Sequence, residues 1–243
     1  MSVFRNAVFL AAVAGFFAGA IMTGLQTLLT VPLILEAETY ETAGHNSRAD
    51  HSHEPVAGPG HQHDKENWAP AYGVERNFYT ALANIVTAIG FALLLVAASE
   101  LAGGIASWRQ GIVWGLAAFA SFTLAPGLGL PPELPAMPAA DLISRQVWWT
   151  STVAATAGGL ALIAFGRSSL HPLLGLVLIL APHIVGAPMP ASHETPVPHE
   201  LHRRFVVAVT ATNLIFWSLL GYAIGFFRAR LTGSINASPR SLA

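Results

Sequence analysis

Residues 78–99 read FYTALANIVTAIGFALLLVAAS, 22 positions without an acid or a base, bounded by Glu75-Arg76 before and Glu100 after. An α-helix rises about 1.5 Å per residue, so about 20 such residues cross a hydrocarbon core of roughly 30 Å. The run therefore reads as a membrane span. The pattern recurs on both sides of it, at residues 6–35, 111–125, 147–165, 173–185 and 205–227. The first run is too long for the roughly 7–15-residue core of a cleavable signal, so it is expected to stay, tilting, kinking near Pro32 or protruding. The runs at 111–125 and 173–185 are short, and five spans is the alternative to six. The expected fold is an all-α integral membrane bundle: residues 1–35 as first transmembrane helix, 36–76 as a histidine-rich extracytoplasmic loop, 77–230 as a five-helix membrane bundle and 231–243 as a cytoplasmic tail.

Composition supports lipid as the solvent. Hydrophobic residues make up 53% of the chain and charged residues 10%, against roughly 25% charged in soluble domains. The formal net charge of −1, with twelve Lys and Arg spread over the gaps, excludes a nucleic-acid partner, which needs a basic surface. The absence of cysteine removes disulfides, thiolate metal sites and thiol redox motifs, leaving imidazole and carboxylate as metal ligands.

Orientation is nearly balanced by the arginine and lysine count. With a cytoplasmic N-terminus the inside carries Arg5, Arg109, Arg167, Arg228, Arg230 and Arg240, and the outside also carries six. A cytoplasmic N-terminus is favoured because every short inside gap and the tail hold arginine, whereas long loops translocate largely regardless of charge.

The chain also repeats itself loosely. Leu124-Ala125-Pro126 leads through proline-rich sequence to Asp141-Leu142 and Trp148-Trp149, and Leu180-Ala181-Pro182 leads likewise to Glu200-Leu201 and Phe205. Together with a first pair around Pro32 and Phe78, this suggests three helical hairpins; the other reading is ordinary membrane punctuation by proline, arginine and aromatics. Gly15/Gly19, Gly111/Gly115 and Gly221/Gly225 are Gly-xxx-Gly pairs suited to close backbone approach.

Two segments could hold a metal ion. In the first, His45, His51, His53, His61 and His63 lie among acids, with two His-x-His pairs separated by a Pro-Gly turn. Such tracts bind metals by composition, and the alternative is a polar linker with unselective histidines. In the second, His193-Glu194 leads to His199-Glu200-Leu201-His202, with His183 in the preceding span. A helix starting near residues 197–199 puts His199 and His202 on one face, lets Glu200 pair with Arg204, and a facing His183 would complete three imidazoles. Pro182 would unwind the helix beside His183 and free carbonyls for a cation. The alternative is that these histidines satisfy loop carbonyls.

His-Glu-Leu-His is one residue short of the zinc-protease signature, and neither a Gly-x-Ser-x-Gly elbow nor a P-loop occurs, so no enzyme is expected. Within the spans, Gln26, Asn84, Thr87, Thr152, Thr156, Thr210, Thr212 and Asn213 are the polar residues; they line an ion path or bond helix to helix.

The run Gly127-Leu128-Gly129-Leu130-Pro131-Pro132-Glu133-Leu134-Pro135, continued by Ala139-Ala140-Asp141-Leu142 and Arg145-Gln146-Val147-Trp148-Trp149, resembles the CbtA family, described as a bacterial probable cobalt transporter subunit. Ala187-Pro188-Met189-Pro190 through His193-Glu194 to Asn213 and Phe216-Trp217 resembles it too. The resemblance implies five or six spans in the bacterial cell membrane, and Co²⁺ as substrate, with Ni²⁺ or Zn²⁺ as alternatives. It further implies a link to cobalamin synthesis and a small one-helix, histidine-bearing partner subunit, CbtB-like. Glu133, Asp141, His193, Glu194 and His199 are the positions that match its motifs. A membrane-anchored metal sensor or buffer without flux is the competing reading.

Overall fold

The computed structural model describes residues 2–49 and 73–236, and among these the chain is helical with no strand. Seven helices follow in order: α1 Ser2–Leu29, α2 Val31–Ala49, α3 Val74–Glu100, α4 Trp108–Gly129, α5 Leu142–Phe165, α6 Leu170–Val185 and α7 His199–Asn236. Among the described residues, five stretches are long and apolar enough to cross a membrane: Phe4–Leu29, Val74–Glu100, Trp108–Gly129, Leu142–Phe165 and His199–Arg230. The chain is a multi-pass membrane protein.

Where α1 meets α3 the interior is lined by small residues, while many large apolar side chains lie on the periphery. Ala11, Ala14, Ala88 and Ala92 are wholly buried, whereas Phe9, Leu173, Val177 and Leu180 are exposed. This inversion of the soluble pattern follows from the solvent, because lipid tails give a leucine no reason to turn inward and tight backbone contact becomes the main attraction. Gly15 and Gly19 of α1 face Ile89 and Ile85 of α3, where an added methyl would lie 2.6 Å from either Cα. The two remaining Gly-xxx-Gly pairs meet each other: Gly111 and Gly115 of α4 lie backbone to backbone against Gly221 and Gly225 of α7.

Of the three hairpins suggested by the repeat, only the first packs as a pair, α1 against α3. The main contacts are α1 with α3, α4 with α7, α5 with α6, and α1 with α7 across the centre. The spans joined by residues 130–141 and 186–198 are thus not the principal partners, since the glycine faces select α7 for α4 and leave α5 to pack on α6.

Proline shapes three of the helices. Pro126 has no N–H for the Phe122 carbonyl, and α4 widens into a π-turn over Ala120–Leu124, where the Ala125 N–H reaches back to the Ala120 carbonyl. Pro32 follows the break between α1 and α2 at Thr30, so the kink falls near the expected position. Residues 36–49, read as the start of a loop, continue instead as helix, because Leu33, Ala37 and Tyr40 recur at helical spacing and pack on Leu134, Val197, Leu201 and Phe205. Residues 231–236, read as tail, likewise extend α7.

The α6 helix has 16 residues, about 24 Å at the usual rise, and does not reach the length of its neighbours. It nonetheless runs antiparallel to α5: Gly175 sits against Gly159, and Pro182 near its end meets Trp148 near the start of α5. Helix α6 thus lies along α5 as a sixth, shorter element beside the five spans, and the Glu100–Arg228 ion pair joins α3 to α7 at the end of the bundle opposite Pro182. The opposite, proline-rich end carries α2, residues 130–141 and residues 186–198.

Candidate functional site

The proline-rich end gathers most of the described residues expected to handle metal, and a second small core holds it in shape. Val197, Leu201 and Phe205 of α7 bury themselves against Leu134 from the loop and Leu33 and Ala37 from α2. Ala136 adopts φ 64°, a left-handed conformation that costs a non-glycine residue roughly 1–2 kcal/mol, and the Thr195 hydroxyl donates to its carbonyl at 3.4 Å. The loop is thus bent onto the start of α7 rather than left to solvent.

α7 starts at His199, within the expected interval. His199 is exposed, while His202 is half-buried and places Nε2 3.1 Å from the Pro132 carbonyl. A carbonyl only accepts, so Nε2 carries the proton and, in the neutral ring, Nδ1 remains an acceptor. This is the geometry in which ligating histidines are commonly held, one nitrogen donating to a backbone carbonyl and the other left for the ion. It is equally the loop-carbonyl role weighed from the sequence.

Glu200 pairs with Arg203, through Oε1 at 2.9 Å and Oε2 at 3.0 Å, and not with Arg204 as the i,i+4 spacing suggested. The forked guanidinium reaches both carboxylate oxygens from i+3, which a pairing at i+4 does not offer here. His193 and Glu194 lie exposed in the segment before α7.

His183 does not sit beside unwound backbone. The helix α6 runs through Pro182 to Val185, and the Pro182 carbonyl accepts from both the Trp148 indole, at 3.2 Å, and the Gly186 N–H, at 3.0 Å. His183 itself packs edge-on against Trp148, centroids 5.8 Å apart. Proline without unwinding is tolerated because only the Leu178 carbonyl loses its donor.

Two motif acids are structural. Glu133 pairs with Arg145 at 3.1 Å, tying the loop to the first turn of α5. Asp141 caps α5, accepting from the Ser144 N–H and hydroxyl, each at 2.9 Å, and those bonds hold its carboxyl below the ordinary range.

Among the described residues no three His, Asp or Glu side chains converge as a metal site. His45 lies on α2, and His51, His53, His61 and His63 fall outside the described residues.

Below this end a polar seam enters the bundle. Asn84 of α3 donates to Gln26 at 2.7 Å and to Thr23 at 3.1 Å, both on α1. Thr23 was not singled out, although it continues the stripe Gly15, Gly19, Thr23, Gln26 at helical spacing. Asn213, the other mid-helix amide, turns back on the Val209 carbonyl of its own helix. Thr152, Thr210 and Thr212 do the same with their own helices, and the Thr156 hydroxyl is buried without a partner. Past the seam, Phe91, Phe122 and Trp217 stack where α3, the π-turn and α7 meet, with centroids 4.8–5.5 Å apart. The Trp217 indole donates to Thr123 at 3.1 Å, fixing the π-turn to α7.

A family model described as probable cobalt transporter subunit (CbtA) matches residues 4–229. No curated protein and no solved structure matches the chain. With nearly its whole length covered, the chain belongs to the CbtA family of probable cobalt transporter subunits.

Proposed function

We propose that the chain is the membrane subunit of a divalent-metal uptake transporter, with cobalt as substrate, that captures the ion through histidine and carboxylate groups on the outer face of a bacterial inner membrane. The observation that carries this is family membership over residues 4–229. Supporting it, the proline-rich end holds His202 with one ring nitrogen engaged and the other left as an acceptor, next to exposed His199, His193 and Glu194. The histidines between 45 and 63 raise the local ion concentration, and the His199–His202 turn, completed by His183 or His193, admits it. Imidazole and carboxylate suit Co²⁺ but also Ni²⁺ and Zn²⁺, so selectivity comes from geometry, supply or the small histidine-bearing, CbtB-like partner subunit.

A second reading, a metal sensor or buffer without flux, is favoured by one feature: the seam of Asn84, Gln26 and Thr23 ends against the Phe91–Phe122–Trp217 stack. Uptake of labelled Co²⁺ into vesicles holding the chain with and without the partner subunit separates the two. Saturable accumulation above empty vesicles supports transport, and binding without accumulation in either preparation supports the sensor.

A further inference from the structure

Where α1 breaks into α2, an open groove of about 490 Å³ runs between that break and the second and third turns of α7, within the roughly 300–1,000 Å³ of small-molecule sites. Its walls are apolar, with Leu28, Leu29 and Leu33 on one side and Val207 on the other, and its rim carries Arg203 and Arg204. We propose that this groove binds one anionic glycerophospholipid, the phosphate held by the two arginines and an acyl chain lying along the leucines.

Charge carries the first part of the argument. Glu200 bonds Arg203 in a bidentate pair that leaves one guanidinium nitrogen free of it, while Arg204, near enough for its charge to act on Glu200, makes no ion pair within bonding distance among the described residues. The rim is thus a net cation built from the side chain best matched to phosphate geometry. Depth carries the second part. Leu28 and Leu29 close the first membrane span, and Arg203 and Arg204 lie near the start of the last, so the groove straddles the boundary between headgroups and hydrocarbon. Free phosphate would satisfy the arginines and leave the apolar walls unfilled; a lipid satisfies both. Chemistry of the backbone adds a third part, because Pro32 supplies no N–H to the Leu28 carbonyl, which is then available to a headgroup hydroxyl.

The test uses the full chain in uncharged detergent, with phosphatidylglycerol, phosphatidylcholine of the same acyl chains and inorganic phosphate as probes, read by native mass spectrometry and titration. One phosphatidylglycerol should bind at least about tenfold more tightly than phosphatidylcholine, whose phosphate is the same but whose choline cation is repelled by the two arginines. R203Q/R204Q should lose that preference, and R204Q alone should lose part of it with the melting temperature unchanged, since Arg204 is exposed and makes no hydrogen-bonded ion pair among the described residues. Val207→Trp, at a 63% exposed position, should weaken lipid binding by filling the groove while leaving both arginines in place. Equal binding of the two lipids, an unchanged preference in R203Q/R204Q, or displacement of phosphatidylglycerol by inorganic phosphate alone would each overturn the proposal.

Discussion

His202 gives its Nε2 proton to the Pro132 carbonyl at 3.1 Å, so one side chain is asked both to anchor a loop and to offer a ligand nitrogen. The two roles separate by substitution. Gln at 202 can still donate to Pro132 but lacks a strong nitrogen ligand, so H199Q/H202Q should abolish saturable Co²⁺ binding by titration calorimetry while the melting temperature changes little. His202→Ala should add loss of the loop bond, about 1 kcal/mol. Co²⁺ binding by the Gln pair that equals the parent's makes these histidines structural. The Asp141 carboxyl is held below the ordinary range by the Ser144 N–H and hydroxyl. The cap therefore contributes fully above the unfolded carboxylate range and is lost as pH falls through the lowered value. Hydrogen exchange at residues 143–145 should be faster in Asp141→Ala at neutral pH and close to the parent in Asp141→Asn, which keeps an accepting oxygen but cannot titrate. The Asp141 cap is visible in the sequence as an acid three residues before Ser144, whereas the Pro132 partner of His202 is not, because it lies 70 positions away.

Helices in this protein are chosen by where their glycines fall. Gly111 and Gly115 were legible as a close-approach face, but their partner was not, since spacing says that a backbone can approach and not which one will. The consequence is that Gly221→Val should fail to give a stable bundle. Its added atoms meet the Gly111 backbone, which cannot swing aside as a side chain would, and overpacking of this kind costs typically 1–3 kcal/mol and more against rigid backbone. Gly90→Ala, where nothing lies within 4 Å, should leave the detergent melting curve unchanged. Helix α2 was missed because Glu36, Glu38, Thr39 and Glu41 gave the segment a polar, loop-like composition. The Leu33, Ala37 and Tyr40 stripe held the opposite signal, and it prevailed because those side chains bury against the Pro-rich loop and α7. The π-turn was announced only by Pro126, since proline dictates a missing N–H but not which neighbour absorbs it.

At the scale of the whole molecule, the five spans and the shorter α6 match runs legible from hydropathy, but the side facing the cell interior was not legible, because lysine and arginine divide evenly between the two ends. The weakest pass is α6, whose 16 residues span about 24 Å against a core of roughly 30 Å. Its antiparallel run along α5 brings residues 186–198 back to the proline-rich end, so Ser169 before it and Ser192 after it belong to opposite ends. The chain has no cysteine, which lets single cysteines report each position without background. With both termini inside, as the tail and short-gap arginines favour, Ser52→Cys and Ser192→Cys should react with a membrane-impermeant thiol reagent in intact spheroplasts, and Ser169→Cys only after lysis. Reaction of Ser169→Cys alone in intact cells inverts the orientation and moves every proposed metal ligand to the cytoplasm. Reaction of Ser169→Cys and Ser192→Cys from the same side means that α6 does not cross, which leaves five spans and puts the His199–His202 turn on the side opposite the histidines of residues 45–63. Only the first outcome permits the loop histidines and the α7 turn to serve one incoming ion.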